Sequence, residues 1–286
     1  MRIHSPDASS IVLPLLVIGG PMTLAGVFML VYSLGGIGLL SPGWTLIHWR
    51  LVLSDPQTWI SLAYSAYVGA ASLAGSIVFA LAIVFSLGAL LRRGALGTLI
   101  YLPLTIPPIV AGFLTAELFG GAGLLSRVAY QLGWIARPAD FPVLVYSRWG
   151  IGIILAHFFL VTPFLVLLFD RLRRNERVDA LMQLAQTLGA SRWQTLRRVA
   201  LPVMLCAARP ALSVYLIVLI GAFEVPLLIG AQSPSMISVL IWNRFARFDL
   251  ATRPQAFVLT TLYTVIMVTA LLIVRRSRVG LDRGER

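Results

Sequence analysis

The sequence contains no lysine, one cysteine and three histidines. Because Cys206 is alone, the chain can form neither an intramolecular disulfide nor a cysteine-based metal site. All 23 basic residues are arginines, and with 11 acidic residues they give a formal net charge of +12. A basic polar face would suggest nucleic-acid binding, but these arginines cluster at the ends of apolar runs. The charge therefore indicates membrane topology, and no nucleic-acid partner is expected.

Catalytic and nucleotide-binding motifs are missing as well. His4, His48 and His157 are far apart in sequence, and neither HExxH nor GxSxG occurs, which argues against a metallopeptidase or a serine hydrolase. The glycines at 120–123 lack both the lysine and the strand context of a phosphate-binding loop. We therefore expect no catalytic residues, and no metal or cofactor bound by this chain.

Apolar residues dominate what is present. Hydrophobic residues make up 58% of the chain and charged residues 12%, and the mean hydropathy is +0.88. These values are typical of an integral membrane protein. A helix needs roughly 20 apolar residues to cross a hydrocarbon layer of ~30 Å. Six segments have that length and predict an all-α protein with six transmembrane helices, at approximately 11–34, 59–91, 96–119, 150–169, 202–229 and 256–274.

The arginines also predict how these helices are oriented. With both termini on one side, that side carries fifteen arginines and the other carries seven, while Arg209 lies inside the fifth segment and is not counted. Cytoplasmic loops are enriched in positive charge. Both termini, and the loop between the fourth and fifth segments, are therefore expected in the cytoplasm.

This cytoplasmic loop, Asp170 to Val199, is rich in arginine and clearly patterned. Apolar residues at 178, 181, 184, 185 and 188 have the spacing of an amphipathic helix. Gly189 interrupts the pattern, and Ser191 can cap a second short helix with apolar residues at 193, 196 and 199, before Pro202. We call residues 178–199 the elbow. It either docks a soluble partner or lies on the lipid headgroups as a basic amphipathic helix.

The elbow resembles the EAA loop of ATP-binding-cassette importer permeases, whose pattern is Glu-Ala-Ala, three residues, Gly, nine residues and Ile-x-Leu-Pro. Here the sequence is Gln183-Leu184-Ala185, then Gly189, then Val199-Ala200-Leu201-Pro202, so the spacing holds throughout. Gln183, Leu184 and Val199 depart from the usual residues. Gln183 cannot form the salt bridge of a carboxylate to the ATPase, but it can still form hydrogen bonds.

Two membrane segments also resemble this family, in particular its spermidine/putrescine-type branch. They are residues 102–112, which include Pro107-Pro108, and residues 221–230. The likeness covers roughly residues 45 to 275. It implies a type I importer permease fold with both termini inside and a cytoplasmic coupling helix.

In that family the loop inserts into a groove of the ATP-binding subunit and relays closure of the ATPase dimer to the membrane helices. Carried onto this sequence, the expected coupling residues are Gln183, Ala185, Leu188, Gly189, Ala190 and Ser191, flanked by Arg192 and Trp193. ATP and Mg would be bound by the partner ATPase and not by this chain.

The resemblance also implies the partners and the location. Two copies of a cytoplasmic ATP-binding subunit, a second related permease and a periplasmic substrate-binding protein are expected, in a bacterial inner membrane; a homodimeric permease pair is the alternative. We divide the chain into an N-terminal helix with a periplasmic segment (1–58), a core permease domain (59–275) and a basic cytoplasmic tail (276–286). A short surface helix is expected within residues 234–248.

Polar groups and helix breakers at membrane depth are candidates for the translocation path. Pro107 and Pro108 remove two backbone donors and predict a kink, which either lines the pore or serves only packing. Glu117 and Glu224 are acids, which a membrane helix tolerates when they face protein or water. With Phe223, or with Tyr101 or Phe113, they could bind an organic cation. Alternatively, Glu117 lies at the interface, and Glu224 pairs with an arginine or caps the break before Pro226.

The substrate is the feature that the sequence determines least, because in such importers a separate binding protein does most of the selecting. A polyamine, spermidine or putrescine, is the first expectation; iron(III), thiamine-like or phosphorylated compounds and oxyanions are alternatives. His157 and Thr162 are expected to form interhelical hydrogen bonds rather than to bind cargo. The main rival function is an ion-coupled secondary transporter, which would work without an ATPase. A membrane scaffold that transports nothing is a third possibility.

Overall fold

The computed structural model describes residue 17 and residues 19–38, 43–91 and 100–282; the side chains of 89–91 and 274–282 are outside that description. The described residues form two compact units. One contains the described parts of 1–59 together with 240–270, and the other contains 60–239 together with the described part of 271–286. The predicted domain limits at residues 58 and 275 stay a prediction.

Helices account for the architecture of this described part. Their backbone donors and acceptors bond within the helix, which is what lipid requires of a spanning segment. In chain order the α-helices are α1 (Gly20–Ser33), α2 (Ile47–Ser54), α3 (Pro56–Leu91), α4 (Pro108–Phe119), α5 (Leu124–Gln131), α6 (Ile151–Asn175), α7 (Val178–Thr187), α8 (Arg192–Thr195), α9 (Leu201–Ile220), α10 (Glu224–Ile229), α11 (Ile237–Phe245) and α12 (Arg253–Asp282).

Among the described residues, five helical stretches are long and apolar enough to cross a membrane. They are Pro56–Gly88, Pro108–Gln131, Ile151–Asn175, Arg192–Ile229 and Leu250–Ile273. The predicted all-α membrane fold is therefore confirmed. Of the first predicted span, residues 11–16 and 18 lie outside the described part, and α1 is 14 residues long.

Two of the predicted spans have different limits in the structure. Residues 96–99 of the third span lie outside the described part, Leu102–Thr105 form a 3-10 turn, and the α-helix begins only at Pro108. The fifth span begins earlier than predicted, at Arg192, because helical structure continues from the elbow into the membrane. Both differences bear on the functional site.

Two apolar clusters hold together the unit formed by residues 60–239. The first joins α3, α6, α7 and α9, and its buried members include Val84, Phe169, Val178 and Met204. The second joins α3, α6 and α10, and includes Val68, Ile153 and Ile229. Since lipid is as apolar as these side chains, close packing rather than removal from water stabilises those of the contacts that lie within the membrane. The first cluster attaches the elbow to the membrane helices.

The other unit contains an ion pair at the end of α11. Arg244 is buried, pairs with Asp55 just before α3, and donates a hydrogen bond to Gln255 Oε1 at 3.1 Å. Because one side chain of a buried pair left alone would be destabilising, this contact fixes the local packing of the unit. A short helix is present within 234–248, as α11, and its place at the outer surface stays a prediction.

Candidate coupling elbow and membrane cavity

The first arm of the elbow is α7, and backbone hydrogen bonds determine where it ends. The N–H of Gly189 bonds to the carbonyl of Gln186, and the N–H of Ala190 bonds to that of Ala185, both at 3.0 Å. This pair of bonds is the Schellman motif, which has a left-handed residue after the helix. Gly189 supplies it with a φ of +90°, a conformation that suits a residue without Cβ. The predicted break at Gly189 is confirmed.

The second arm begins at Ser191. The Ser191 Oγ accepts the N–H of Gln194 at 3.3 Å, and the Gln194 Oε1 accepts the N–H of Ser191 at 2.9 Å. This reciprocal arrangement is a capping box, which satisfies two donors at the start of α8. The bend between the arms, residues 188–191, is therefore only four residues long and is bounded on both sides by specific hydrogen bonds. The cap predicted at Ser191 is confirmed.

The second arm does not end where the membrane segment starts. After α8 the chain passes through a π turn, Leu196–Ala200, in which the N–H of Leu201 bonds to the carbonyl of Leu196. Pro202 follows; it has no N–H and would clash with a carbonyl of a regular α-helix, and the wider turn relieves this. The expectation of a separate second helix is therefore wrong, because α8 and α9 form one continuous helical stretch.

The apolar residues of the elbow lie on two faces. Val178 and Ala200 are fully buried in the first apolar cluster, and Met182 packs against it. Leu184, Leu188 and Trp193, by contrast, are 59%, 83% and 67% exposed. The predicted single stripe is thus divided, because docking of α7 on the membrane helices uses the side that carries residues 178 and 182. The other apolar residues remain on the surface.

The predicted coupling residues lie in the C-terminal half of α7, in the bend and in the first turn of α8. Gln183, Leu188, Gly189, Ser191, Arg192 and Trp193 are exposed, and Ala185 and Ala190 are partly buried. The bend therefore presents an amide, a hydroxyl and a guanidinium beside large apolar groups. Such a mixture resembles the composition of protein interfaces, in which aromatic residues and arginine are enriched.

The two prolines begin a helix instead of bending one. Pro107 has an extended backbone at the N-cap of α4, and Pro108 is its first residue. Proline suits this position because the first N–H groups of a helix have no partner within the helix. The predicted kink is wrong for this reason.

Glu224 supplies the partner for the first free donor of α4. Its Oε2 accepts the N–H of Ile109 at 3.1 Å, across 115 residues of sequence. A carboxylate at this place also interacts favourably with the positive end of the helix dipole. Glu224 thus caps the start of α4, which neither of the two alternatives, an arginine pair or a cap before Pro226, had anticipated.

A cavity of about 410 Å³ opens beside this cap, between α4, α6, α9 and α10. Its lining includes Pro108, Tyr215, Phe223 and Glu224, so three of the predicted path residues meet there with a tyrosine. The cavity is otherwise mostly apolar, and no arginine lines it in the described part of the chain. Solute sites typically combine such an apolar lining with a few polar groups.

His157 on α6 also lines the cavity and was not assigned to it from the sequence. The side chain is 4% exposed, and its Nδ1 has no hydrogen-bond partner among the described residues. Thr162 Oγ1 is likewise unpartnered there, so the interhelical hydrogen bonds expected for these two atoms are not found. A buried polar atom without a partner is unfavourable, and a ligand or water in the cavity would satisfy it. The sequence signal that could have assigned His157 to the cavity is the occurrence of a histidine within an apolar span.

The remaining path candidates lie elsewhere. Pro107, Glu117, Tyr101 and Phe113 are exposed and do not line the cavity. The aromatic groups proposed to surround a cation therefore do not assemble around Glu224, apart from Phe223.

Comparison with known proteins places these features in context. A family model described as "Binding-protein-dependent transport system inner membrane component" matches residues 91–286. The chain is 28% identical to the molybdenum transport system permease protein ModB of Azotobacter vinelandii over 201 residues, which cover 66% of this chain and 81% of that protein. It is 26% identical to a probable sulfate transport system permease protein, cysT, of Chlorella vulgaris over 189 residues, 64% of this chain and 67% of that protein.

The fold has a counterpart among solved structures. A bacterial ABC transporter involved in the import of the acidic polysaccharide alginate contains a chain that matches with a TM-score of 0.66 and 20% identity, covering 94% of this chain and 92% of its own. At this identity the likeness supports the fold alone. The relatives are named for molybdenum and sulfate, so the spermidine/putrescine branch expected from the sequence is not supported.

Proposed function

Because this chain belongs to the family of binding-protein-dependent transport system inner membrane components, we propose that it carries solute by alternating access and that its elbow couples this movement to a separate ATPase. The chain is a permease subunit of an ATP-binding-cassette importer, a multi-pass inner-membrane protein, and not itself an enzyme. The complete transporter would add two ATP-binding subunits that hold ATP and Mg, a second related permease and a periplasmic binding protein.

The observation that carries the coupling role is the continuity of the elbow with the membrane helices. α7 follows α6 after two residues, and α8 runs through the π turn into α9. The Schellman motif and the capping box restrict the bend between them. A displacement of the bend would therefore move α6 and α9 as attached bodies instead of being absorbed by a flexible loop.

The exposed apolar residues indicate a protein partner at the bend. A helix that lies on headgroups buries one continuous apolar face in the membrane. Here Val178 and Met182 already pack against the chain's own helices, and Leu184, Leu188 and Trp193 face other directions. A groove on the ATP-binding subunit would cover these residues, and the exposed Gln183 would contribute a hydrogen bond where related permeases have a carboxylate.

For the substrate, we propose a small oxyanion of the molybdate or sulfate kind. Support comes from the relatives, which are named for molybdenum and sulfate. Two features of the cavity are compatible with it: His157 Nδ1, which has no partner among the described residues, offers a hydrogen bond, and Glu224 has its charge partly offset by the N-terminus of α4.

A small organic cation, such as a polyamine, is the second candidate. It is favoured by one observation, the Glu224 carboxylate in a cavity that no arginine lines in the described part of the chain. The choice can be tested on the partner binding protein by thermal-shift screening with molybdate, sulfate, spermidine and putrescine. Stabilisation by an oxyanion supports the first proposal, and stabilisation by a polyamine alone overturns it.

The coupling role can be tested with Leu188→Asp. This side chain is 83% exposed, so the change leaves the core intact while placing a charge in the proposed interface. We expect normal amounts of the permease in the membrane but loss of ATPase co-purification and of import. Leu132→Asp, at another exposed leucine, is the control and should retain both. Import that persists without any ATPase would overturn the proposal in favour of a secondary transporter.

A further inference from the structure

Arg173 joins three helices through a single side chain. It lies in the last turn of α6, and its Nη1 donates to the carbonyl of Val84 in α3 at 2.7 Å. Its Nε and Nη2 each lie 2.8 Å from Asp179 Oδ1, in the first turn of α7. The guanidinium also lies 5.0 Å from the ring centroid of Phe85.

The neighbouring Arg174 shows how specific this arrangement is. Arg174 is 55% exposed and pairs with Asp170, four residues earlier on its own helix. Arg173 is 16% exposed and uses its planar fork to reach two other helices at once. A lysine could replace the charge but not the fork or the stacking on an aromatic ring.

This contact is important because α3 is not adjacent to the elbow in the chain. α6 and α9 are attached to the two ends of the elbow, whereas Val84 on α3 is 89 residues from Arg173 along the chain. Apolar contacts, such as those of Val178 with the first cluster, have little directional preference and allow helices to slide. Hydrogen bonds weaken steeply when their geometry changes, so they resist sliding.

We infer that Arg173 is a positioning residue that makes α3 follow the elbow when the ATPase moves it. Asp179 holds the guanidinium on the elbow side, and the Val84 carbonyl holds it on the α3 side. This inference rests on the proposed coupling role of the elbow. It assigns to α3 a share of the movement that the chain connectivity alone gives only to α6 and α9.

The test uses the complete importer reconstituted with its ATPase, partner permease and binding protein. Variants are Arg173→Gln, Arg173→Lys and Asp179→Asn, with Arg174→Gln as the matched control. The first readout is the ATP hydrolysed per solute imported. We expect this ratio to rise about tenfold in Arg173→Gln and Asp179→Asn, which is the size of effect expected for the loss of one coupling contact. In Arg174→Gln the ratio should change by less than about twofold.

A second readout reports the movement itself. With Cys206 replaced by serine, spin labels are attached at Ser86 on α3 and Gln186 on α7, both exposed. In the protein with Arg173 intact, the distance between the labels should stay the same in the resting and ATP-trapped states. In the Arg173→Gln protein it should differ between the two states. A role in folding alone would not produce this state dependence.

Each outcome either supports or overturns the proposed role of Arg173. An unchanged label distance and an unchanged ATP ratio in Arg173→Gln overturn the inference. If that variant fails to assemble, Arg173→Lys decides in the same way, because it keeps the charge but loses the fork. Failure of the proposed function is distinguishable: Leu188→Asp would then leave ATPase binding and import intact. If Leu188→Asp abolishes both while the Arg173 variants remain coupled, only the role of Arg173 is refuted.

Discussion

Replacing Gly189 by alanine tests whether the elbow must keep its angle. The φ of this residue is +90°, and apart from its two chain neighbours no described residue has an atom within 4 Å of the position that a Cβ would occupy. Steric contact with neighbours therefore contributes nothing, and the whole penalty comes from the left-handed backbone, about 1–2 kcal/mol for a residue with a Cβ. The chain can relieve this strain by changing the bend, which separates Leu188 from Trp193 in the proposed interface.

The assay is the substrate-stimulated ATPase activity of the reconstituted complex, measured against ATPase concentration. A loss of about 1.4 kcal/mol in docking weakens the partner's affinity about tenfold. Gly189→Asn should recover most of the affinity, because asparagine tolerates the left-handed conformation. Gly121→Ala is the control: its Cβ position is also open, but its backbone is not left-handed, so the change should have no effect. If alanine, asparagine and glycine at 189 support equal affinity, the elbow does not work through a fixed angle.

Three further changes probe the cap, the cavity and the second arm. Glu224→Gln keeps an acceptor for the N–H of Ile109, so we expect uptake of an oxyanion at or above the original rate; slower uptake would show that oxyanion transport needs the carboxylate. Ser191→Ala removes the capping box and should lower the free energy of unfolding by about 1 kcal/mol in a detergent denaturation series; no change would show that the cap is dispensable. His157→Leu removes a buried atom that has no partner among the described residues, and should keep or raise thermal stability while slowing solute uptake. Normal uptake by this variant would remove His157 from the solute path.

Local chemistry explains why the elbow could be predicted from the sequence. Gly189 and Ser191 act through hydrogen bonds within about five residues, and the structure has a Schellman motif at the predicted break and a capping box at the predicted cap. The division of apolar residues between two faces was not predictable in this way. It depends on α7 docking against Phe169 and Val84, which are distant in sequence from Leu184 and Leu188.

The cavity depends on similarly distant contacts. The start of α4 could not be located from the sequence, because it lies within an uninterrupted apolar run. In addition, Pro107 and Pro108 satisfy the sequence rules both for a kink and for a helix start. Only the approach of Glu224, 115 residues away, distinguishes the two. His157 gives no local signal of its surroundings, so its place in the cavity could be seen only after α4, α6 and α9 had been brought together.

The π turn at Leu196–Ala200 determines how the second arm of the elbow is rotated about the helix axis relative to α9. A turn closed over five residues instead of four contains one residue more than a regular helix. Each residue turns an α-helix by about 100° and advances it by about 1.5 Å. The direction in which Trp193 points is thus offset by one residue's rotation from the lipid- and cavity-facing sides of α9. Deleting one residue here would straighten the helix, leave the membrane segment in register, and turn the second arm away from the proposed ATPase interface.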